Sequence, residues 1–277
     1  MNFTKMHGIG NDYVYVNCFE ETVPDPQAAA RFVSDRHFGI GSDGLILICP
    51  SQVADCRMDM YNVDGSRGAM CGNGVRCVGK YAYDHGIVSQ ERRRLTVETL
   101  AGIKTLDFTV REERGRLVAD MLTVDMGEGK LTSELPEPIT VNGEQYRFVG
   151  INVGNPHAVY FMDSIDELNL EAMGPAFELH PRFLPDRVNT EFIQLVDRNH
   201  IRMRVWERGS GETWACGTGA TASAAAAIML GYTGDEVEVA LRGGNLVIRL
   251  DRESGHLFMT GPAVEVFSGS IDIPENL

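Results

Sequence analysis

The 277-residue chain contains no Cys-x-x-Cys pair, which removes the ligand spacing of common structural zinc sites and of dithiol redox motifs. It is short of lysine: Lys5, Lys80, Lys104 and Lys130 are the only four. The formal net charge is −14, whereas a duplex-binding protein needs Lys and Arg to neutralise phosphates, so no nucleic-acid partner is expected. No apolar run approaches the about 18 residues of a membrane span, and Ala222–Leu230 is short enough to read as a buried helix. The first twelve residues lack the basic segment and apolar run of a secretion signal. No membrane association is expected, and the expected location is the cytoplasm.

What is present is an ordinary globular composition, 43% hydrophobic and 23% charged, over a length that suggests two domains. Six cysteines stand at 18, 49, 56, 71, 77 and 216. Cys18, Cys49, Cys56 and Cys77 lie in or beside apolar runs and are expected in the core as small hydrophobes. Cys71 and Cys216 differ, because each heads a Cys-Gly-x-Gly turn.

Those turns belong to an internal repeat. Gly10-Asn11 recurs as Gly154-Asn155 (155 − 11 = 144) and Gly65-Ser66 as Gly209-Ser210 (209 − 65 = 144). Cys71 recurs as Cys216 (216 − 71 = 145), Gly86 as Gly231 (231 − 86 = 145) and Gly102 as Gly244 (244 − 102 = 142). Five landmarks in one order and nearly one register indicate two copies of one unit. In each copy, strands of alternating polarity, Met58–Gly65 and Ile201–Gly209, lead into the Cys-Gly-x-Gly turn, a helix and a closing hairpin. The second helix, Gly219–Leu230, is built of small residues and reads as threaded through a curled sheet. The expectation is an α+β protein of two pseudo-symmetric repeats. Each is a mostly antiparallel sheet curled around a central helix, with the active site in the cleft between them. The first domain is expected to comprise 1–117 plus the returning 263–277, and the second 118–262.

Inverting an α-carbon requires a base on one face and an acid on the other. A duplicated thiol supplies such a pair. A helix entry offers free N–H groups and partial positive charge, which favour thiolate. The glycines at 72, 74, 217 and 219 let a ligand carboxylate approach the backbone N–H groups. A cysteine chosen for its size is an equal reading of either turn alone; the pair in equivalent positions points to acid/base chemistry.

Met6-His-Gly-Ile-Gly-Asn-Asp, Asn62-Val-Asp-Gly-Ser, Met70-Cys-Gly-Asn-Gly-Val-Arg-Cys, Gly154-Asn-Pro-His, Trp206-Glu-Arg-Gly-Ser-Gly-Glu-Thr and Ala215-Cys-Gly-Thr-Gly resemble the diaminopimelate epimerases, in order and over essentially the full chain. The resemblance implies interconversion of LL- and meso-diaminopimelate in lysine and cell-wall precursor synthesis, with no pyridoxal phosphate, metal or other cofactor, in a homodimer. Carried over, Cys71 and Cys216 are the acid/base thiols, with His157 and Glu207 as catalytic helpers. Asn11, Asn62, Asn155, Asn189, Glu207 and Arg208 are implied side-chain ligands of the substrate. Gly72-Asn73 and Gly217-Thr218 are the implied backbone cradle of its carboxylate. Gly44 departs from members that carry Gln there, and Phe267 from members with Tyr at the dimer contact. A proline-racemase-like enzyme is disfavoured by Asn73, where that family tends to have His. A non-catalytic binding protein, or a phenazine-type isomerase of this fold, is disfavoured by the intact thiol pair.

Overall fold

The computed structural model describes residues 1–274. It forms two compact units, one of Met1–Val124 with the chain from Gly261 onward, the other of Asp125–Thr260.

In the first unit, strand Gly44–Cys49 is buried along its whole length, as expected of a strand covered on both faces. It runs parallel to Asn11–Asn17 and antiparallel to Cys56–Asn62. Alternation sends Leu45, Leu47 and Cys49 into a core with Ala29, Ala30 and Val33 of helix α1 (Pro26–Ser34). Ile46 and Met58 face the other way, toward Gly74 of helix α2 (Gly72–Asp84). Cys56–Asn62 continues in parallel to Arg94–Thr99, which turns into Gly102–Glu113. At the other edge Asn2–Gly8 pairs antiparallel with Asn11–Asn17 and with Val264–Ser270. The chain's last strand thus returns to the unit in which the chain begins.

The second unit repeats these pairings. Pro156–Phe161 runs parallel to Asn189–Leu195, which is antiparallel to His200–Glu207. His200–Glu207 is parallel to Glu236–Leu241, which turns into Gly244–Leu250. Helix α3 (Leu170–Glu178) occupies the place of α1, and α4 (Gly217–Met229) that of α2. Six strands of the unit pack against α4. That crowding explains its composition: Gly219 through Ile228 are buried, and only small side chains let strands approach from so many directions. Gly86 and Gly231 adopt φ of 74° and 73° just past α2 and α4, the left-handed conformation that ends a helix and that side chains disfavour.

Two features go beyond the sequence reading, which assigns one helix to each copy. α1 and α3 are second helices, each about two and a half turns and each begun by a side-chain cap, Asp25 or Asn169. The acidic and basic run Arg111–Arg116 is a hairpin turn, with Arg114 and Gly115 at positive φ between Gly102–Glu113 and Arg116–Glu128.

Candidate active site

Cys71 is the N-cap of α2, and Cys216 is the N-cap of α4. Both have extended backbone, and both sulfurs accept a helix N–H, from Gly74 at 3.3 Å and from Gly219 at 3.4 Å. A thiol in the place where Ser or Asp usually stands satisfies one orphan donor weakly and leaves the sulfur facing the helix's positive end.

In the first unit the half-buried Cys71 donates to Asn11 Oδ1 at 3.2 Å. The Asn11 amide is oriented by Asp43, whose Oδ2 accepts from Asn11 Nδ2 at 2.8 Å and from the Asp12 N–H at 3.1 Å. Burial, and then the Asp12 charge, raise the Asp43 carboxyl above its ordinary range. Asn73 is buried with Oδ1 accepting from Arg76 Nη2 at 2.9 Å, so what it offers outward is backbone. Arg76, wholly buried, also donates to the Gly72 carbonyl at 3.2 Å and the Pro262 carbonyl at 3.3 Å, pinning the Cys-Gly-Asn-Gly turn from behind. Asn62 Nδ2 donates to Ser66 Oγ at 3.0 Å within its own turn. Position 44 has no room for a side chain: a Cβ there would lie 2.2 Å from the Tyr61 carbonyl oxygen.

In the second unit Cys216 is buried, with Thr218 Oγ1 3.5 Å away. Asn155 Nδ2 donates to that hydroxyl at 3.4 Å, and Asn155 Oδ1 lies 2.9 Å from His157 Nε2. Glu207 accepts a hydrogen bond from Thr213. Burial raises the Glu207 carboxyl above its usual range, against the lowering influence of Thr213 and of the neighbouring Cys216 thiol. Asn189 is buried, donating to the Pro156 carbonyl at 3.0 Å and accepting the Arg208 N–H at 3.0 Å, and so fixes the loop that presents Arg208. The Arg208 side chain is exposed and donates to the Asp186 carbonyl at 2.7 Å.

The helix-entry argument predicts a lowered thiol pKa at both turns, and at Cys216 this is corrected. Burial, followed by the Glu207 and Glu191 carboxylates, pushes that thiol well above its ordinary value, outweighing the Thr218 and Gly219 hydrogen bonds. The Cys216 thiol is therefore held protonated. Cys49, Cys56 and Cys77 are buried and Cys18 half-buried; burial pushes Cys56 to about 12 and Cys77 to about 11, values that leave almost no thiolate near neutrality.

The repeat is legible in the site itself. Asn11 and Asn155 each reach the Cys-Gly-x-Gly turn of their own unit. Four residues here carry no role in the sequence reading: Asp43, Glu191, and Arg76 and Thr213, which stand inside quoted motifs without one. Glu191 left a signal, a lone carboxylate inside the otherwise uncharged run Thr190–Ile193, all of it buried. Arg76 stands in a quoted motif, but nothing local marks it as buried, since an arginine on a helix usually reads as surface. Among the described residues no group of three or more His, Cys, Asp or Glu side chains is placed to hold a metal ion.

Comparison with known proteins supplies the frame for this geometry. A model of the diaminopimelate epimerase family matches residues 3–132 and 149–266. A diaminopimelate epimerase of Acetivibrio thermocellus is 50% identical over 99% of this chain and 100% of its own length. One of Desulfovibrio desulfuricans is 52% identical over 97% of each. Among solved structures, a probable proline racemase from Agrobacterium radiobacter superposes with a TM-score of 0.77 at 18% identity, covering 99% of this chain and 94% of that one. A hydroxyproline epimerase from Agrobacterium vitis gives 0.72 at 17%, covering 97% and 91%. These two structures share the fold of two repeated α+β units. Matched along most of its length and about half-identical to full-length relatives, the chain belongs to the diaminopimelate epimerase family.

Proposed function

We propose that the protein is an isomerase that interconverts LL- and meso-diaminopimelate with Cys71 and Cys216 as the two acid/base groups and no cofactor. The observation that carries the reading is the pair of thiols capping equivalent helices, in a chain half-identical to diaminopimelate epimerases. One thiolate takes the α-proton, and the carbanion's charge spreads into the substrate carboxylate. The N–H groups of Gly72-Asn73 and Gly217-Thr218, at helix N-termini, stabilise that growing charge. The other thiol returns a proton to the opposite face. Arg208 matches the distal carboxylate. Asn11, Asn62, Asn155 and Asn189 match an ammonium and a carboxylate, because an amide both donates and accepts. His157 and Glu207 take up or return the thiol protons.

The protein is further proposed to be a cytoplasmic homodimer. Val264, Val266 and Phe267 expose apolar surface on strand Val264–Ser270, Phe267 to 49%, beside the Phe3 ring. Among the described residues no helix is long and apolar enough to cross a membrane. Purified protein incubated with LL-diaminopimelate and a chelator, then separated on a chiral column, yields the meso isomer, whereas L-proline stays unchanged. Sedimentation gives twice the 30.5 kDa chain mass. Racemised proline, or activity restored only by added metal, contradicts the reading.

The raised Cys216 thiol has a consequence for pH. A thiol acid works only while protonated, so the activity it supports is lost as pH rises through its pKa. Because that pKa is raised, the loss comes above the ordinary thiol value of about 8.5. Glu207 contributes to the elevation, second to burial. Glu207→Gln therefore moves the alkaline limb of kcat/KM to lower pH, in the direction of reaction for which Cys216 is the acid. A limb that stays in place or moves upward contradicts the assigned cause.

A further inference from the structure

His157 and Glu191 form a wholly buried pair in the second unit, Nδ1 to Oε1 at 2.7 Å, with both side chains 0% exposed. The two residues stand on neighbouring parallel strands. The rest of the network settles the imidazole's other nitrogen. Asn155 spends Nδ2 on Thr218, so its Oδ1 is an acceptor, and His157 Nε2, 2.9 Å away, must donate to it. With a proton assigned to Nε2, the link between Nδ1 and Oε1 holds one more, and it belongs to the pair. Glu191 Oε2 is buried with no hydrogen-bond partner. An orphaned buried carboxylate oxygen costs stability, so a structural role alone is a poor reason to keep it. Glu191 also reaches the thiol's own turn: a Cβ at Gly219 would lie 2.8 Å from Oε1 and 3.2 Å from Cys216 Sγ. The second glycine of Cys-Gly-Thr-Gly thus leaves the space in which carboxylate and thiol both sit.

We propose that Glu191 is a positioning residue of this site: it grips His157 by Nδ1, aims Nε2–H at Asn155, and thereby orders the Asn155–Thr218 arm beside Cys216 while keeping one transferable proton in the pair. The inference rests on the reading of Cys216 as an acid/base group. It explains why a carboxylate is buried where an apolar side chain would pack without cost. It also assigns His157 a partner of the kind that orients a catalytic imidazole in triads.

Glu191→Gln tests it, since glutamine keeps the shape and can still hydrogen-bond Nδ1 but cannot hold the proton. The variant is expected to unfold at nearly the wild-type temperature and to lose about 10²-fold in kcat. Its KM for diaminopimelate is expected to stay within about twofold, the signature of an interaction made in the transition state only. In protein labelled with ¹⁵N-histidine, the wild type shows a slowly exchanging, strongly deshielded Nδ1 proton on His157, assigned by its loss in His157→Asn. Glu191→Gln removes it. The wild-type spectrum tests the idea even if the variant fails to fold: absence of that proton overturns the proposal. So does a folded Glu191→Gln enzyme with wild-type kcat, or one in which only KM changes. Cys216→Ala is the control that separates the two claims. If it is inactive while Glu191→Gln is fully active, the positioning role alone falls; if it still inverts substrate, the two-thiol reading falls and the proposal with it.

Discussion

Cys71→Ala and Cys216→Ala each lower LL-to-meso conversion by about 10⁴-fold or more, the upper end for loss of a general acid or base. Each variant removes the only thiol at its helix entry, and Cys56 and Cys77 are no substitute, since burial holds both far above neutrality. Isotope traffic distinguishes two groups from one. A single base swinging between faces returns the proton it took or exchanges it equally in substrate and product. Two thiols on opposite faces divide the work, one abstracting and the other delivering a solvent-derived proton. In deuterated water the meso product therefore carries deuterium at the inverted carbon, while LL substrate recovered early stays largely unlabelled. Early substrate as deuterated as product, or more than about a tenth of the inversion rate left in either alanine variant, would falsify the two-thiol assignment.

Phe192→Ala destabilises the second unit by about 3–5 kcal/mol. Phe192 is 0% exposed, stacked on Tyr160 with centroids 5.8 Å apart and met edge-on by Phe177 at 5.1 Å. Leu170 and Phe177 of α3 and Trp206 of strand His200–Glu207 complete that core. Truncation leaves a cavity that ring-shaped neighbours cannot fill by small movements. Trp206 sits inside the same cluster, its Nε1 donating to Glu178 at 2.8 Å, so its fluorescence reports the loss directly in urea unfolding. A change below about 1 kcal/mol would mean that the cluster collapses around the gap. The side chain next to Phe192 points the opposite way, so the same strand holds the aromatic core with one face and places Glu191 near α4 with the other.

Much of this was legible in the chain because it was written twice. The glycine landmarks hold a common register since each repeat needs a backbone bend at the same place, as at Gly86 and Gly231. Strands of alternating polarity were readable by period, and α4 by its small residues. α1 and α3 were not, because each is about nine residues long, too short for periodicity to separate from apolar loop. Their helical state depends on packing against a sheet that the local sequence does not contain.

The sequence by itself determined the duplication, the family, and the two cysteines at helix entries, because those depend on residue type and local spacing. Only the tertiary structure decided what surrounds each thiol. The Pro262 carbonyl that holds Arg76 behind the first turn and Glu191 behind the second are brought there by segments distant in sequence. So is the rise in the Cys216 thiol's pKa: helix entry, a local property, favours thiolate, but burial together with Glu207 and Glu191 outweighs it. Desolvation and charges from distant segments act through space, and the order of residues along the chain does not state which of them meet.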